Sequence, residues 1–248
     1  MRVCGNVQLT AYLRVFLQRA VEDLGIGAVH GGKVSVLVKR SAVKAVQVCK
    51  VGNGHSQLIL PWIDEVLKEA GIALRDVDGI LFGAGPGAFT GLRIACGVAQ
   101  GLAFGADKKL LPVCNLEALA HHAFEKAARV AVMNDARMGE CYAAVYEKTA
   151  DGVVTVASPM LIKPEGVAEW LAVHGAQYAT GTGIEAYKMA LAIDNAPSHL
   201  EADAMIDWYL ANREALKDAW VAPELAAPIY VRDRVALTIE ERAQGKRL

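Results

Sequence analysis

Three observations predict an α/β fold: a valine-rich pair of runs early in the chain, a glycine-rich turn between a short apolar strand and a helix, and further helical runs alternating with short strands. The 248 residues are 54% hydrophobic and 21% charged, enough to bury one large core or two small ones and too apolar for a disordered chain. A formal net charge of −1 gives no overall attraction to nucleic acid, so contact with an RNA needs a local basic patch or a partner that supplies the charge. Cys4, Cys49, Cys96, Cys114 and Cys141 form no C-x-x-C pair and are odd in number, which suits neither a zinc site nor a secreted disulfide framework and points to a reducing cytoplasm. The N-terminus has no continuous apolar stretch and no small-residue cleavage site, so neither a signal peptide nor a membrane span is read there.

The run "KVSVLVKRSAVKAVQVCKV" (33–51) is β-branched with a basic interruption at Lys39 and Arg40, the pattern of two strands joined by a tight turn. After the turn signal "GNG", "HSQLILPWIDEVLKEAG" has helical spacing of apolar residues and stops at Gly71, with Pro61 expected to kink or restart it. "VDGILFGAGPG" reads as a short buried strand ending in a glycine turn, and Thr90 or Gly91 is the expected cap of a helix running to about Ala106. A strand and a helix capped by Asn115 follow in "KLLPVCNLEALAHHAFEKA". "RVAVMNDARMGECYAAVYEK" is a strand, a five-residue turn and a second strand. Beyond residue 150 come a strand, a helix from about Pro164 to Val173, the turn "TGTG" and two alanine-rich helical stretches reaching about 217. The charged cluster and proline of "DKKLLP" (107–112) mark the expected hinge between two lobes, 23–108 and 109–248, with 1–22 as an N-terminal extension.

The glycine-rich stretch 83–91 supports two readings. Gly83, Gly85, Gly87, Thr90, Gly91 and Arg93 can form an anion site from backbone N–H groups and a helix N-terminus, or the glycines serve only a sharp turn and a close approach of helix to sheet. The G-K-[ST] ending of a P-loop is absent, and so is the usual dinucleotide spacing. In the helix that follows, Ala95, Ala99 and Ala103 recur every four residues, as do Gly97 and Gly101, leaving two stripes almost without side-chain bulk. The preceding helix is apolar on two faces, Leu58, Trp62 and Val66 on one and Ile59, Ile63 and Leu67 on the other, more than one sheet needs. Either a partner covers the surplus or both faces pack within the chain.

Three segments in order, "HSQLILPWIDEVL", "GAGPGAFTGLRIACGVAQGLAF" and "LPVCNLEALA", together with "NDARMGECYAAVY" and the closing "APIYVRDRVA", resemble the TsaB (YeaZ) family over about residues 52–236. The resemblance implies a two-lobed actin-like ATPase, RNase H-like fold with mixed sheets, and a non-catalytic role in making threonylcarbamoyladenosine beside the anticodon of tRNA. It implies a heterodimer with a TsaD-like catalytic ATPase, a TsaE-like ATPase as a further partner, and tRNA reached indirectly; the same helices could also pair with a second copy when the partner is absent, and with no membrane span read no membrane is expected. Docking is implied on the helices of the first lobe, here Ser56, Ile59, Trp62, Ile63, Val66, Leu92, Ala95, Cys96, Ala99 and Ala103. Ala99→Glu is then expected to leave the monomer folded and abolish the complex. Family members open with a strand ending in Asp-Thr-Ser, where this chain has Ala28, Val29 and His30, so no cofactor is required and weak or no ATP binding is expected. The alternative is an actin-like ATP-binding phosphotransferase using the loop 83–91.

Other residues with chemical potential have plainer explanations. His121 and His122, beside Glu117, point about 100° apart on a helix and lack H-E-x-x-H spacing, so no metal site is assigned. Asp135, Arg137 and Glu140 are hairpin candidates for partner contact, read as an Asp opening a turn, a glycine with positive φ and an exposed Arg–Glu pair. Ser56 after His55 is read as a helix cap rather than a nucleophile.

Overall fold

A computed structural model describes residues 23–26, 33–40, 43–50, 55–200 and 202–232 of the chain. The extension 1–22, the Ala28-Val29-His30 segment and the side chain of Ser56 lie outside the described residues.

Two five-stranded mixed sheets organise the molecule. In the first, β1 (Asp23–Ile26), β2 (Lys33–Arg40), β3 (Val43–Lys50), β4 (Gly79–Gly85) and β5 (Leu110–Cys114) lie in the order β3-β2-β1-β4-β5. The hairpin read from 33–51 is present as β2 and β3, paired from Lys33↔Lys50 to Arg40↔Val43. The central β1 runs antiparallel to β2 and parallel to β4. The second sheet has the order β10-β9-β6-β7-β8, from β6 (Arg129–Asp135), β7 (Cys141–Thr149), β8 (Gly152–Ile162), β9 (Tyr178–Thr180) and β10 (Asp194–Ala196).

Parallel strands are stable with both faces covered, and β4 and β5 are covered on both. On one face lie α1 (His55–Ala70) and α2 (Phe89–Ala106), whose Ile59, Ile63, Val66, Ala99 and Ala103 pack with Ile80, Phe82 and Leu110. On the other lies α6 (Ala202–Asn212), whose Ala204, Met205, Trp208 and Tyr209 pack with Leu81, Leu111 and Val113. Successive residues of β4 thus serve opposite layers. The remaining helices are α3 (Asn115–Ala123), α4 (Val167–Val173) and α5 (Thr182–Ala186), with α3 on β6 and β7 and α4 over the outer face of the second sheet.

Several local expectations need correction. The helix at 55–70 runs through Pro61 without the restart offered as one alternative. It stops where expected, at Gly71 with φ +70°, after which the Ile72 amide bonds back to the Leu67 carbonyl. Helix α2 begins at Phe89 with Ala88 as its N-cap, so neither Thr90 nor Gly91 caps it. Asn115 is the first residue of α3, not its cap, and its Nδ2 donates to the Pro86 carbonyl at 3.2 Å instead. The hinge expected at 107–112 falls inside the first sheet, because β5 pairs with β4 and belongs to that layer. Residues of the chain after 200 also return to the first sheet, so 109–248 is not one lobe: the parallel strands β4 and β5 need both faces covered, and α6 covers the second.

Candidate functional site

The glycine-rich segment leaves β4 and enters α2 beneath the C-terminal strap, residues 226–232. Gly83 and Gly85 end β4, and Gly85 has φ +126°, with the Ile229 carbonyl oxygen 2.6 Å from where a Cβ would stand. The Ile229 amide in turn donates to the Ala84 carbonyl at 2.7 Å. Glycine is required at 85 by both the backbone angle and the strap lying on it. Gly91 is buried in the first turn of α2. Arg93 is already engaged: its Nε donates to the Tyr230 hydroxyl at 3.1 Å, and its guanidinium lies 3.7 Å over the Phe89 ring.

Gly87, Ala88, Phe89 and Thr90 form one wall of a cleft of about 560 Å³ between the two sheets. Opposite stand Asp135, Arg137 and Met138 of the β6–β7 hairpin, Thr182 and Glu185 of α5, and Arg232 of the strap. The structure therefore brings together two features 45 residues apart in the chain, the glycine turn and the D-A-R-M-G-E hairpin. At the hairpin, Asp135 Oδ1 accepts from the Arg137 amide at 2.8 Å and from the Tyr187 hydroxyl at 2.8 Å, while its own amide donates to Thr182 Oγ1 at 3.0 Å. Burial first, and then the bond and charge of Asp135, push the Tyr187 hydroxyl up to about 12, so it remains a donor. Burial, followed by Asp135, likewise raises the Cys141 thiol to about 12, which leaves it without thiolate character.

The expected Arg137–Glu140 pair does not form. Arg137 pairs with Asp135 at 3.1 Å, and Glu140 pairs with Arg232 at 2.8 Å. Gly139 has the positive φ expected, but so do Arg137 (63°) and Met138 (57°), two non-glycine residues held in the left-handed region at the mouth of the cleft.

The two helices assigned to a partner show which of their faces are free. Ile59, Val66, Ala95, Ala99 and Ala103 are fully buried within the chain, Leu92, Ile63, Cys96 and Trp62 nearly so. These nine side chains face the first sheet or the strap: Cys96 Sγ lies 3.7 Å from the Ala226 carbonyl, and Gln100 Nε2 donates to the Pro223 and Ala226 carbonyls. They are the core, so they are corrected as surface contacts, and Ala99→Glu is corrected as a change the monomer tolerates. The outward row of α2 is a different one. Gly97, Gly101 and Gly105 are exposed with nothing within 4 Å of a built Cβ, Phe104 is 81% exposed, and Arg93 is the row's charged residue. The outward face of α1 is polar, with Gln57, Asp64, Glu65, Lys68 and Glu69 exposed and Leu60 its exposed large apolar residue. The Gly97–Gly101 recurrence is visible in the sequence, but which stripe faces the sheet is set by the rotation of α2 about its own axis, which the spacing does not specify.

Glu117 accepts a hydrogen bond from Trp208 Nε1 at 3.1 Å across the α3–α6 contact. Burial raises its carboxyl above the usual range despite that bond. Among the described residues no group of three or more His, Cys, Asp or Glu is placed to hold a metal ion, and no helix is long and apolar enough to cross a membrane. Tyr230 and Arg232 were part of the closing motif in the sequence, but their roles as handholds on α2 and on the hairpin appear only in three dimensions.

The comparisons agree with this architecture. A family model described as TsaD, tRNA N6-adenosine threonylcarbamoyltransferase, matches residues 49–236. The tRNA threonylcarbamoyladenosine biosynthesis protein TsaB of Haemophilus influenzae is 37% identical over 192 residues, 73% of this chain and 81% of that protein. Its Escherichia coli namesake is 35% identical over 192 residues, 73% of this chain and 82% of that protein. Among solved structures, YeaZ from Pseudomonas aeruginosa superposes with a TM-score of 0.73 at 33% identity, covering 85% of this chain and all of that one. A second structure from that organism, described as an uncharacterized protein with similarity to peptidase YEAZ, gives a TM-score of 0.75 at 32% identity, covering 86% of this chain and all of that one. An actin-like, RNase H-like pair of mixed sheets, the glycine-turn helix and the closing strap in one chain, at this identity over most of its length, mean that the protein belongs to the TsaB (YeaZ) family.

Proposed function

We propose that this chain is a non-catalytic subunit in the synthesis of threonylcarbamoyladenosine in tRNA, and that it binds and supports a TsaD-like catalytic ATPase through the outward face of α2. The observation that carries the reading is that face: Gly97, Gly101 and Gly105 beside the exposed Phe104, in a chain 37% identical to a protein named for this biosynthesis. A row of glycines lets a partner helix approach closely, and an exposed aromatic beside it supplies an anchor once water is excluded. The partner interface thus moves from the alanine stripe to the glycine stripe of the same helix.

On this reading the protein works in the cytoplasm, needs no cofactor of its own and binds ATP weakly or not at all. The engagement of Arg93 by Tyr230 supports that, because it ties up a cationic group a phosphate would use. A TsaE-like ATPase joins the assembled pair, tRNA is met through the complex, and without its partner the α2 face pairs with a second copy. The test is to mix the full chain with the TsaD-like protein of its own organism and titrate by calorimetry. A one-to-one complex that restores threonylcarbamoyladenosine in tRNA to cells lacking their own TsaB is the result expected. Absence of a complex overturns the reading, and tight magnesium-dependent ATP binding by the isolated chain would replace it with the phosphotransferase.

A further inference from the structure

The strap touches both halves of the molecule, and its contacts alternate between them. On the first sheet's side, Ile229 N–H bonds the Ala84 carbonyl, and the Tyr230 ring sits 5.8 Å from Phe89 while its hydroxyl accepts from Arg93. Two residues later, on the second sheet's side, Arg232 Nη2 pairs with Glu140 Oε2 at 2.8 Å and reaches the Ala136 carbonyl at 3.3 Å, while Nη1 lies 3.5 Å from Met138 Sδ. Val231 between them packs against the core of the second sheet. The Phe89 ring that Tyr230 meets and Arg232 itself both line the cleft.

We infer that residues 229–232 are a latch that sets the opening of the cleft, with Tyr230 as its grip on α2 and Arg232 as its grip on the β6–β7 hairpin. The chain spans at most about 3.5 Å per residue, so three residues leave little slack between the two grips. The Arg232–Glu140 pair is well shielded, with side chains 11% and 25% exposed, and so is screened less by salt than a surface pair. Loss of either partner leaves the other charge half-buried and unmatched, which drives the hairpin and the strap apart. The strap helps hold the hairpin in its present form: the turn keeps Arg137 and Met138 in the left-handed region, and Arg232 donates to the Ala136 and Arg137 carbonyls. Because Phe89 opens α2 and Arg93 stands one turn later, displacement at the hairpin is passed through Tyr230 to the helix whose other end carries Phe104. The latch belongs to the chain alone and stands whatever partner binds α2.

Hydrogen exchange on the full chain tests it, because the grips lie on different sheets. Tyr230→Ala removes contacts made only with the first sheet's side, yet a latch requires the Ala136 and Glu140 amides of the hairpin to exchange at least tenfold faster. Unchanged exchange there overturns the inference. Arg232→Glu should deprotect the Ile229 amide, and the charge-reversed pair Arg232→Glu with Glu140→Arg should return it to within about twofold of the parent. Failure of the reversed pair to restore protection, in a variant that keeps the parent melting temperature, also overturns it.

Discussion

The two sides of α2 are built from the same kind of residue for opposite ends. Inward, Ala95, Ala99 and Ala103 are fully buried, and their small size lets the helix lie close on Ile80 and Phe82. Outward, Gly97, Gly101 and Gly105 stand in open space beside Phe104. A glycine in a helix costs roughly 0.5–1 kcal/mol relative to alanine, so three exposed glycines are a net loss to the monomer that its own packing does not recover. The lesson is that a small residue in the core explains itself, whereas a small residue at the surface calls for a second surface.

The largest effect expected is at the inward stripe. Ala99→Glu places an unpaired carboxylate in a dry core, at a cost on the order of 4 kcal/mol or more, and should prevent folding. A soluble variant melting at the parent temperature would mean that this stripe is not core. Next comes Gly85→Ala, which meets both a disfavoured backbone angle and the Ile229 carbonyl, and should cost about 2–3 kcal/mol in urea denaturation. An unchanged midpoint would mean that the strap does not rest there.

At the outward stripe the sign reverses. Gly101→Arg has room for its side chain and gains up to about 1 kcal/mol of helix propensity, so the melting temperature should hold or rise. Affinity for the TsaD-like partner should nevertheless fall at least tenfold, about 1.4 kcal/mol. Retained affinity would move the interface off this row.

These contrasts mark what was legible in the sequence. Most of the strand and helix order could be read because the longer elements carry their own period and their own stop, as Gly71 does for α1. By contrast β1, β9 and β10, of four, three and three residues, are too short to show a period and were missed. The family followed from long motifs. The orientation of α2 could not be read, because alanine and glycine stripes look alike until the sheet beneath selects one of them. The boundary at 107–112 was misplaced for a related reason: a charged cluster before a proline marks a turn, and only pairing with β4 reveals that β5 closes the first sheet. The Arg232–Glu140 pair joins positions 92 apart, a distance over which local pattern carries no information.

The smallest effect lies across the sheet and serves as a control on α6. Burial raises the Glu117 carboxyl, so the folded state prefers the protonated acid. The stability this gives is complete below the ordinary glutamate range and is lost as pH rises through the raised value. Glu117→Gln keeps an acceptor for Trp208 without the charge, so it should gain on the parent in melting temperature between pH 4 and pH 7. Parallel curves would mean that the carboxyl is as well hydrated in the folded chain as in the unfolded one.

The central claim is tested most directly by oxidative footprinting of Phe104, free and in complex with the TsaD-like partner. At 81% exposure, Phe104 should label readily alone and at least fivefold more slowly in the complex, while Trp62 stays unlabelled in both. Phe104 labelling at the same rate in a verified complex would contradict the account.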